Sequence, residues 1–283
     1  MKRRNTLFRL TPIIVICLLS VTMPAMAGTL DDVLSKGVLT VSTDANYAPQ
    51  SFLDDKGNLV GFDIDVAKAV ASRLGVKAKH VTPDWDIIVS GKWGGRWDLS
   101  IGSMTITSER AAVVDFSIPY YYTPAQFAIH KNNKRVNTIN GLVGKTVGIG
   151  AGTTYESYLD PNQSLTIGGG EGIAYQVQGV KGKPYSTDME AVQDLALGDG
   201  TRLNGVLTSG FVVQEAMKKG VPIKPVGDPV YYEPLAAASD KARAGSRAFI
   251  DKVSEVIQSM HDDGTLTRLS NKWYGFDVTK KAQ

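Results

Sequence analysis

Apolar and polar residues follow two rhythms along this chain, one of period two and one near 3.6, and the two take turns. Val38–Ser42 alternates and predicts a strand. Residues 44–52, with Pro49, read as a loop, and 54–58 as a turn from which 59–62 returns. A helix is expected over 64–74, because Val66, Ala67, Val70 and Leu74 share one face and Gly75 stops it. Further on, Thr146–Gly150 predicts a strand, and a helix begins at Thr153 or Thr154, where Thr153 and Glu156 have capping-box spacing. Helices are expected over 188–197 and 209–218, with a short strand over 203–207 between them. Gly168, Gly169, Gly170 and Gly172 mark a surface loop. The clearest helix is Ser246–Asp262, where Phe249, Ile250, Val253, Val256, Ile257 and Met260 recur on one face; Gly264 ends it. Strand and helix patterns in alternation predict an α/β protein without an internal repeat.

The start of the chain stands apart. Lys2, Arg3, Arg4 and Arg9 precede a mostly apolar run over 10–23, and Ala25-Met26-Ala27 fits a cleavage site. The run is shorter than the roughly 20 residues a membrane span needs. Residues 1–27 therefore read as a signal peptide cleaved after Ala27, which marks the chain for export. They carry four of the 31 Lys and Arg residues and none of the 28 Asp and Glu, so the mature chain has a net charge of −1. That balance argues against a nucleic-acid partner, which needs a clustered basic surface. The single cysteine, Cys17, lies within the signal, so neither a disulfide nor thiol chemistry is expected of the mature chain. The remainder, at 256 of 283 residues, is long enough for two lobes. His80, His130 and His261 lack metal-ligand spacing. Gly144-Lys145-Thr146 lacks the first glycine of a phosphate loop and precedes a strand. No cofactor, metal or catalytic motif is expected.

The most informative stretch is 97–122, W-D-L-S-I-G-S-M-T-I-T-S-E-R-A-A-V-V-D-F-S-I-P-Y-Y-Y. It places Ser103, Thr105 and Arg110 just after an apolar strand, and a guanidinium there is a fork of donors suited to a carboxylate. For Arg110 the plain alternative is a surface ion pair with Glu109 or Asp115. The stretch resembles the segment with which bacterial extracellular solute-binding proteins of family 3, the polar amino-acid class, grip a ligand's α-carboxylate. Asp44-Ala45-Asn46-Tyr47-Ala48-Pro49 is similar to that family's first binding loop, and residues 263–274 to its closing D-G-T-L-x-x-L-x-x-K-W-Y. The likeness covers nearly all of 30–277.

The resemblance implies the two-lobe periplasmic binding protein fold (type II). Lobe 1 would take 28–122 and 235–277, and lobe 2 126–227. Two crossing hinge segments would lie near 122–126 and 228–234, with a tail at 278–283. It implies a periplasmic receptor of an ABC importer, monomeric, that closes on an amino acid or amino-acid-like carboxylate and presents it to an inner-membrane permease. The implied ligand-binding residues are Asp44, Tyr47, Trp85, Gly102, Ser103, Met104, Thr105 and Arg110 of lobe 1, with Gly152, Thr153, Thr154 and Ser209 of lobe 2. The N–H groups of 150–154, at a helix start, would add to the anion site. Asp63 and Asp65 open a helix and read as capping residues, and Trp93, Trp97 and Trp273 as packing residues.

One position departs from the family. Where it often has an aspartate for the ligand's α-ammonium, this chain has Ser209. Either another carboxylate serves, with Asp188, Glu190 and Glu233 as candidates, or the ligand lacks an ordinary α-ammonium, as in N-substituted amino acids, opine-like conjugates or hydroxy acids. Two other functions remain open. One is a cyclohexadienyl dehydratase-like enzyme on the same fold, with Glu156 or Glu233 as general acid; the other is a ligand receptor that docks to a chemoreceptor.

Overall fold

The structure, a computed structural model, describes residues 29–170 and 172–281. The signal segment over 1–27, its cleavage after Ala27 and Cys17 lie outside the described residues. The chain begins with α1 (Thr29–Lys36), β1 (Val38–Ser42), β2 (Asn46–Tyr47), β3 (Ser51–Leu53), β4 (Leu59–Val60), α2 (Phe62–Arg73), β5 (Lys77–Val81), α3 (Trp85–Val89) and β6 (Leu99–Thr105). A 3₁₀ turn at Arg110–Ala112 leads into the long β7 (Val114–His130). Then come β8 (Thr146–Gly150), α4 (Thr154–Leu159), β9 (Lys181–Tyr185), α5 (Asp188–Ala196), β10 (Gly205–Ser209), α6 (Gly210–Lys218) and β11 (Ile223–Pro225). The return is β12 (Tyr231–Asp240), α7 (Ser246–Asp262) and α8 (Thr265–Tyr274).

One mixed sheet runs β5-β1-β6-β12-β7-β10-β8-β9, with β11 beside β7. Parallel β5, β1 and β6 form one side of it, and parallel β10, β8 and β9 the other. Between them β7 belongs to both halves. Its first part pairs antiparallel with β12, from Val114↔Asp240 to Ala125↔Tyr231, and its last part with β10 and β11. The protein is thus a two-lobe α/β fold whose chain crosses from lobe to lobe along β7 and returns along β12. Each lobe has its own core. Val41, Phe62, Leu99, Phe249 and Val253 cluster in the first, and Phe127, Leu142, Val147 and Leu207 in the second.

Strands β1 and β8 and helix α7 lie where their periodicity puts them. The strand expected over 203–207 is displaced to Gly205–Ser209, because Leu203 is drawn into the α5–α6 core and the ladder with β8 begins at Gly205↔Val147. The stretch read as a loop over 44–52 contains β2 and β3, which form a small antiparallel sheet with β4. The capping role expected of Asp63 and Asp65 is not what the fold uses. Asp63 is fully buried and accepts from Ser103 Oγ at 2.7 Å and Tyr120 Oη at 2.8 Å. Asp65 accepts from Lys272 Nζ at 2.6 Å and Trp273 Nε1 at 2.8 Å, which ties α2 to α8.

Candidate functional site

The carboxyl ends of β1, β6, β8 and β9 all point at the gap between the lobes, the place where open α/β sheets collect functional side chains. The segments that leave these ends line a single cavity. Asp44 follows β1, Ser103 and Thr105 end β6, Thr153 and Thr154 follow β8, and Asp188 follows β9. Tyr47 of β2, Trp85 at the start of α3, Gly102, Arg110 and Glu233 of β12 complete most of the wall. Ten of the twelve residues singled out as main candidates therefore meet at the cleft: nine line this cavity, and Gly152 lines the adjoining one.

The other two are turned away. Met104 is fully buried with Trp93, Trp97 and Val114, because successive side chains of β6 point to opposite faces. Ser209 is also fully buried: its Oγ accepts from Phe211 N at 3.2 Å and meets Thr123 Oγ1 at 2.6 Å, so it caps α6.

Arg110 dominates the site. It is 7% exposed and makes no ion pair among the described residues. The surface ion pair is not formed, and Asp115 accepts instead from Ser246 Oγ at 2.9 Å. One terminal nitrogen donates to Thr105 O at 3.1 Å and the other to Gly152 O at 3.0 Å, so the side chain spans from its own lobe to the opposite one. These two bonds use two of a guanidinium's five donors. Burial pulls its pKa below the usual arginine value, while the charges of Glu233 and Glu109 oppose that shift. Trp85 lies under it at 5.3 Å from the ring centroid, and its indole N–H also donates to Gly152 O, at 3.1 Å.

In the lobe 2 loop, two of the N–H groups expected to cradle an anion over 150–154 are used within the lobe. Ala151 N donates to Tyr185 O at 2.8 Å and Gly152 N to Glu156 Oε2 at 2.7 Å, so both are engaged within the lobe. What the loop turns toward Arg110 is the Gly152 carbonyl. Thr153 caps α4, accepting from Glu156 N at 3.4 Å and donating to Gly150 O at 2.6 Å. Ser103 has φ 55°, a left-handed backbone that is rare outside glycine. Its N–H donates to Tyr120 Oη at 3.0 Å, and its hydroxyl is held by Asp63 and Tyr121.

Three carboxyl groups share the cavity with Arg110. Glu233, 1% exposed, accepts from Thr105 Oγ1 at 2.7 Å, from Tyr155 Oη at 2.8 Å and from Thr154 Oγ1. It joins a lobe 1 strand, the crossing strand β12 and helix α4. Burial pushes its pKa up, against the pull of these hydroxyls and of Arg110. Asp188 is 8% exposed, and burial pushes it up to about 7, with the negative charges of Asp44 and Glu233 adding to the shift. Burial raises Asp44 too, although Asn46 N donates to it at 2.6 Å. Glu190, the other candidate carboxylate, is exposed and accepts from Ser186 N at 3.1 Å, away from the cavity. Tyr155, Ser186 and Thr187 line the wall without having been singled out. The Thr187–Glu190 capping spacing was the available signal for the last two.

A buried guanidinium at the strand ends of two facing lobes can hold the carboxylate of a small solute. The family model for bacterial extracellular solute-binding proteins, family 3, matches residues 39–276, and the chain belongs to that family. It is 32% identical over 278 residues to the L-cystine-binding protein TcyJ of Escherichia coli (strain K12), covering 98% of this chain and 97% of that protein. Among solved structures, it is similar to an ancestral arginine-binding protein bound to arginine, at 33% identity and a TM-score of 0.72 over 84% of this chain and 99% of that one. It is also similar to the ancestral amino acid-binding protein AncCDT-1, a precursor of cyclohexadienyl dehydratase, at 31% identity and a TM-score of 0.73 over 87% and 99% of the two chains.

Proposed function

We propose that this protein is a periplasmic receptor that captures an amino acid, or a close carboxylate-bearing relative, between its lobes and delivers it to an ABC permease in the inner membrane. The observation that carries the reading is Arg110, a buried cation with no ion-pair partner among the described residues, set in the wall of the inter-lobe cavity. Arg110 holds the ligand carboxylate, Trp85 and Tyr47 wall the side chain, and Asp44 faces its polar end. A ligand that touches both lobes favours closure by its differential affinity for the closed state. In this reading the lobes are 28–122 with 235–277, and 126–227. The protein acts as a monomer after removal of residues 1–27. The names of its relatives support an amino-acid ligand, since they bind cystine and arginine. Binding without catalysis is favoured because both general-acid candidates are engaged, Glu156 with Gly152 N and Glu233 with three hydroxyls.

The test is a thermal-shift screen of residues 28–283, unfolded and refolded to strip bound solute, against the twenty amino acids, L-cystine, opines, hydroxy acids and cyclohexadienyl acids. A ligand at 100 times its Kd stabilises by about 2.7 kcal/mol. A shift with one or a few amino acids is expected. Silence throughout, or steady product formation from a cyclohexadienyl acid, would overturn the reading.

A further inference from the structure

Between α4 and β9 the chain runs over 160–180 without a helix or strand among the described residues, and part of this stretch reaches across to the other lobe. Its apolar side chains belong to lobe 2. Leu165, 4% exposed, is a member of the second core, and Ile167 packs against it. Leu165 N donates to Tyr175 Oη at 3.0 Å, and the Tyr175 ring stacks on Tyr158 with centroids 5.2 Å apart. Ile173 N donates to Leu165 O at 3.1 Å. The polar groups of the same segment are used on lobe 1. Gly168 N donates to Ile106 O at 2.9 Å, Thr166 Oγ1 accepts from Ser108 N at 3.3 Å, and Ile167 faces Thr107 in an antiparallel bridge.

The partner segment is the one that leads to Arg110. Strand β6 ends at Thr105, and Ile106 follows it, donating through its N–H to Pro234 O of β12 at 3.1 Å while its carbonyl accepts from Gly168. Thr107 Oγ1 accepts from Arg110 N at 3.1 Å, and Thr107 O from Ala111 N at 2.9 Å. The turn that presents Arg110 therefore starts from a residue paired with lobe 2. Gly168 has φ 70°, which glycine adopts freely, and a Cβ there would lie 3.6 Å from Pro234 Cγ.

We infer that Thr166–Gly168 is a strap between the lobes, a third tie besides β7 and β12, which is paired with the segment leading to Arg110 while the lobes are closed and is released when they open. The inference uses the lobe closure of the receptor reading and goes beyond it. The two crossing strands are continuous chain and survive opening, whereas the strap joins segments that move with different lobes. Bonds made only in the closed state favour that state before any solute arrives. They also brace the turn that presents Arg110 from the opposite lobe, so the carboxylate seat is held most firmly when the cleft is shut.

The experiment places Thr107→Cys and Ile167→Cys together in the mature chain, residues 28–283, which has no other cysteine because the single one is Cys17. The Gly168–Ile106 bond flanks this pair rather than joining it, an arrangement in which opposite Cα atoms lie about 4.5 Å apart, within disulfide reach. An intramolecular disulfide is expected to form with oxidised glutathione. In small-angle X-ray scattering without solute, the oxidised variant should have a smaller radius of gyration than the same variant reduced, since only the reduced form opens. A folded variant that forms no intramolecular disulfide overturns the strap. Equal radii overturn it too, because the lobes then move, or stay, without regard to the 107–167 link. Should the variant not fold, amide exchange followed by NMR on wild type decides. Ser108 and Gly168 N–H should exchange about tenfold or more slowly than in an unstructured chain, and Thr166→Val should speed the exchange of Ser108. Unprotected amides at both positions overturn the inference. None of these readouts needs a solute, so their failure is distinguishable from failure of the receptor reading, which the thermal-shift screen judges.

Discussion

Truncating Arg110 to alanine removes the group on which the carboxylate seat depends. The side chain is 7% exposed, and two of its donors already bind Thr105 O and Gly152 O, so it is held in place before a ligand arrives. Without it, a ligand carboxylate would enter a cavity whose remaining charges are Asp44, Asp188 and Glu233, all negative when ionised. Truncating one partner of a desolvated, hydrogen-bonded charge pair costs about 2–5 kcal/mol, or about 30-fold to a few thousand-fold in Kd. Repulsion from the nearby Glu233 places the expectation in the upper part of that range. Arg110→Lys keeps the charge but not the planar fork, and should fall between wild type and alanine. The assay is titration calorimetry on refolded protein, with a thermal melt of each variant without ligand to separate binding from folding. An alanine variant within threefold of wild type, with an ordinary melt, would refute the carboxylate seat.

Four further outcomes are expected. An amino acid brings an ammonium into a cavity that Asp188 lines, and that carboxyl is pushed up to about 7, so Kd measured from pH 8 to 5.5 should rise as pH falls below 7, by up to about tenfold per unit. A pH-independent Kd would count against an ionised Asp188 in binding. Without ligand, the sign for stability is the opposite. Asp63 and Asp188, both pushed up to about 7, bind protons in the folded state between roughly pH 4 and 7 that the unfolded chain does not, so Tm should be higher at pH 5.5 than at pH 8. Glu233→Ala leaves the Thr105, Thr154 and Tyr155 hydroxyls without their acceptor and should destabilise by about 3 kcal/mol in urea unfolding; a change under 1 kcal/mol would mean that water satisfies them easily. Phe249→Ala, at a fully buried position of α7, should cost about 3–5 kcal/mol in the same assay.

Local chemistry was readable wherever a few adjacent residues decide the outcome. The α7 face is a 3.6-residue repeat that needs no partner to be recognised, and Thr153 caps α4 through an atom three residues away. Arg110, Trp85, Asp44 and Tyr47 were picked out by short stretches of sequence, and they meet in one cavity. The strands that cross between the lobes were not readable. β7 contains Pro119 and Pro124, which argue against a strand, yet Pro119 sits at a register shift and Pro124 opposite Tyr232 in the ladder with β12.

The sequence by itself determined the α/β alternation, which depends on spacings of a few positions, and its resemblance to the family singled out most of the residues that gather at the cleft. Tertiary structure decided which side chains face the cavity. Met104 and Ser103 are neighbours, but the pleat of β6 sends one to the core and the other to the cleft. Of the three candidate acids, Glu190 went to a helix cap, Glu233 to three hydroxyls from both lobes, and Asp188 to the cavity wall without a partner for Oδ1. That sorting depends on contacts such as Glu233 with Thr105, 128 positions apart in the chain. Such contacts exist only after the sheet has brought β6, β12 and α4 together, so no local pattern could carry them.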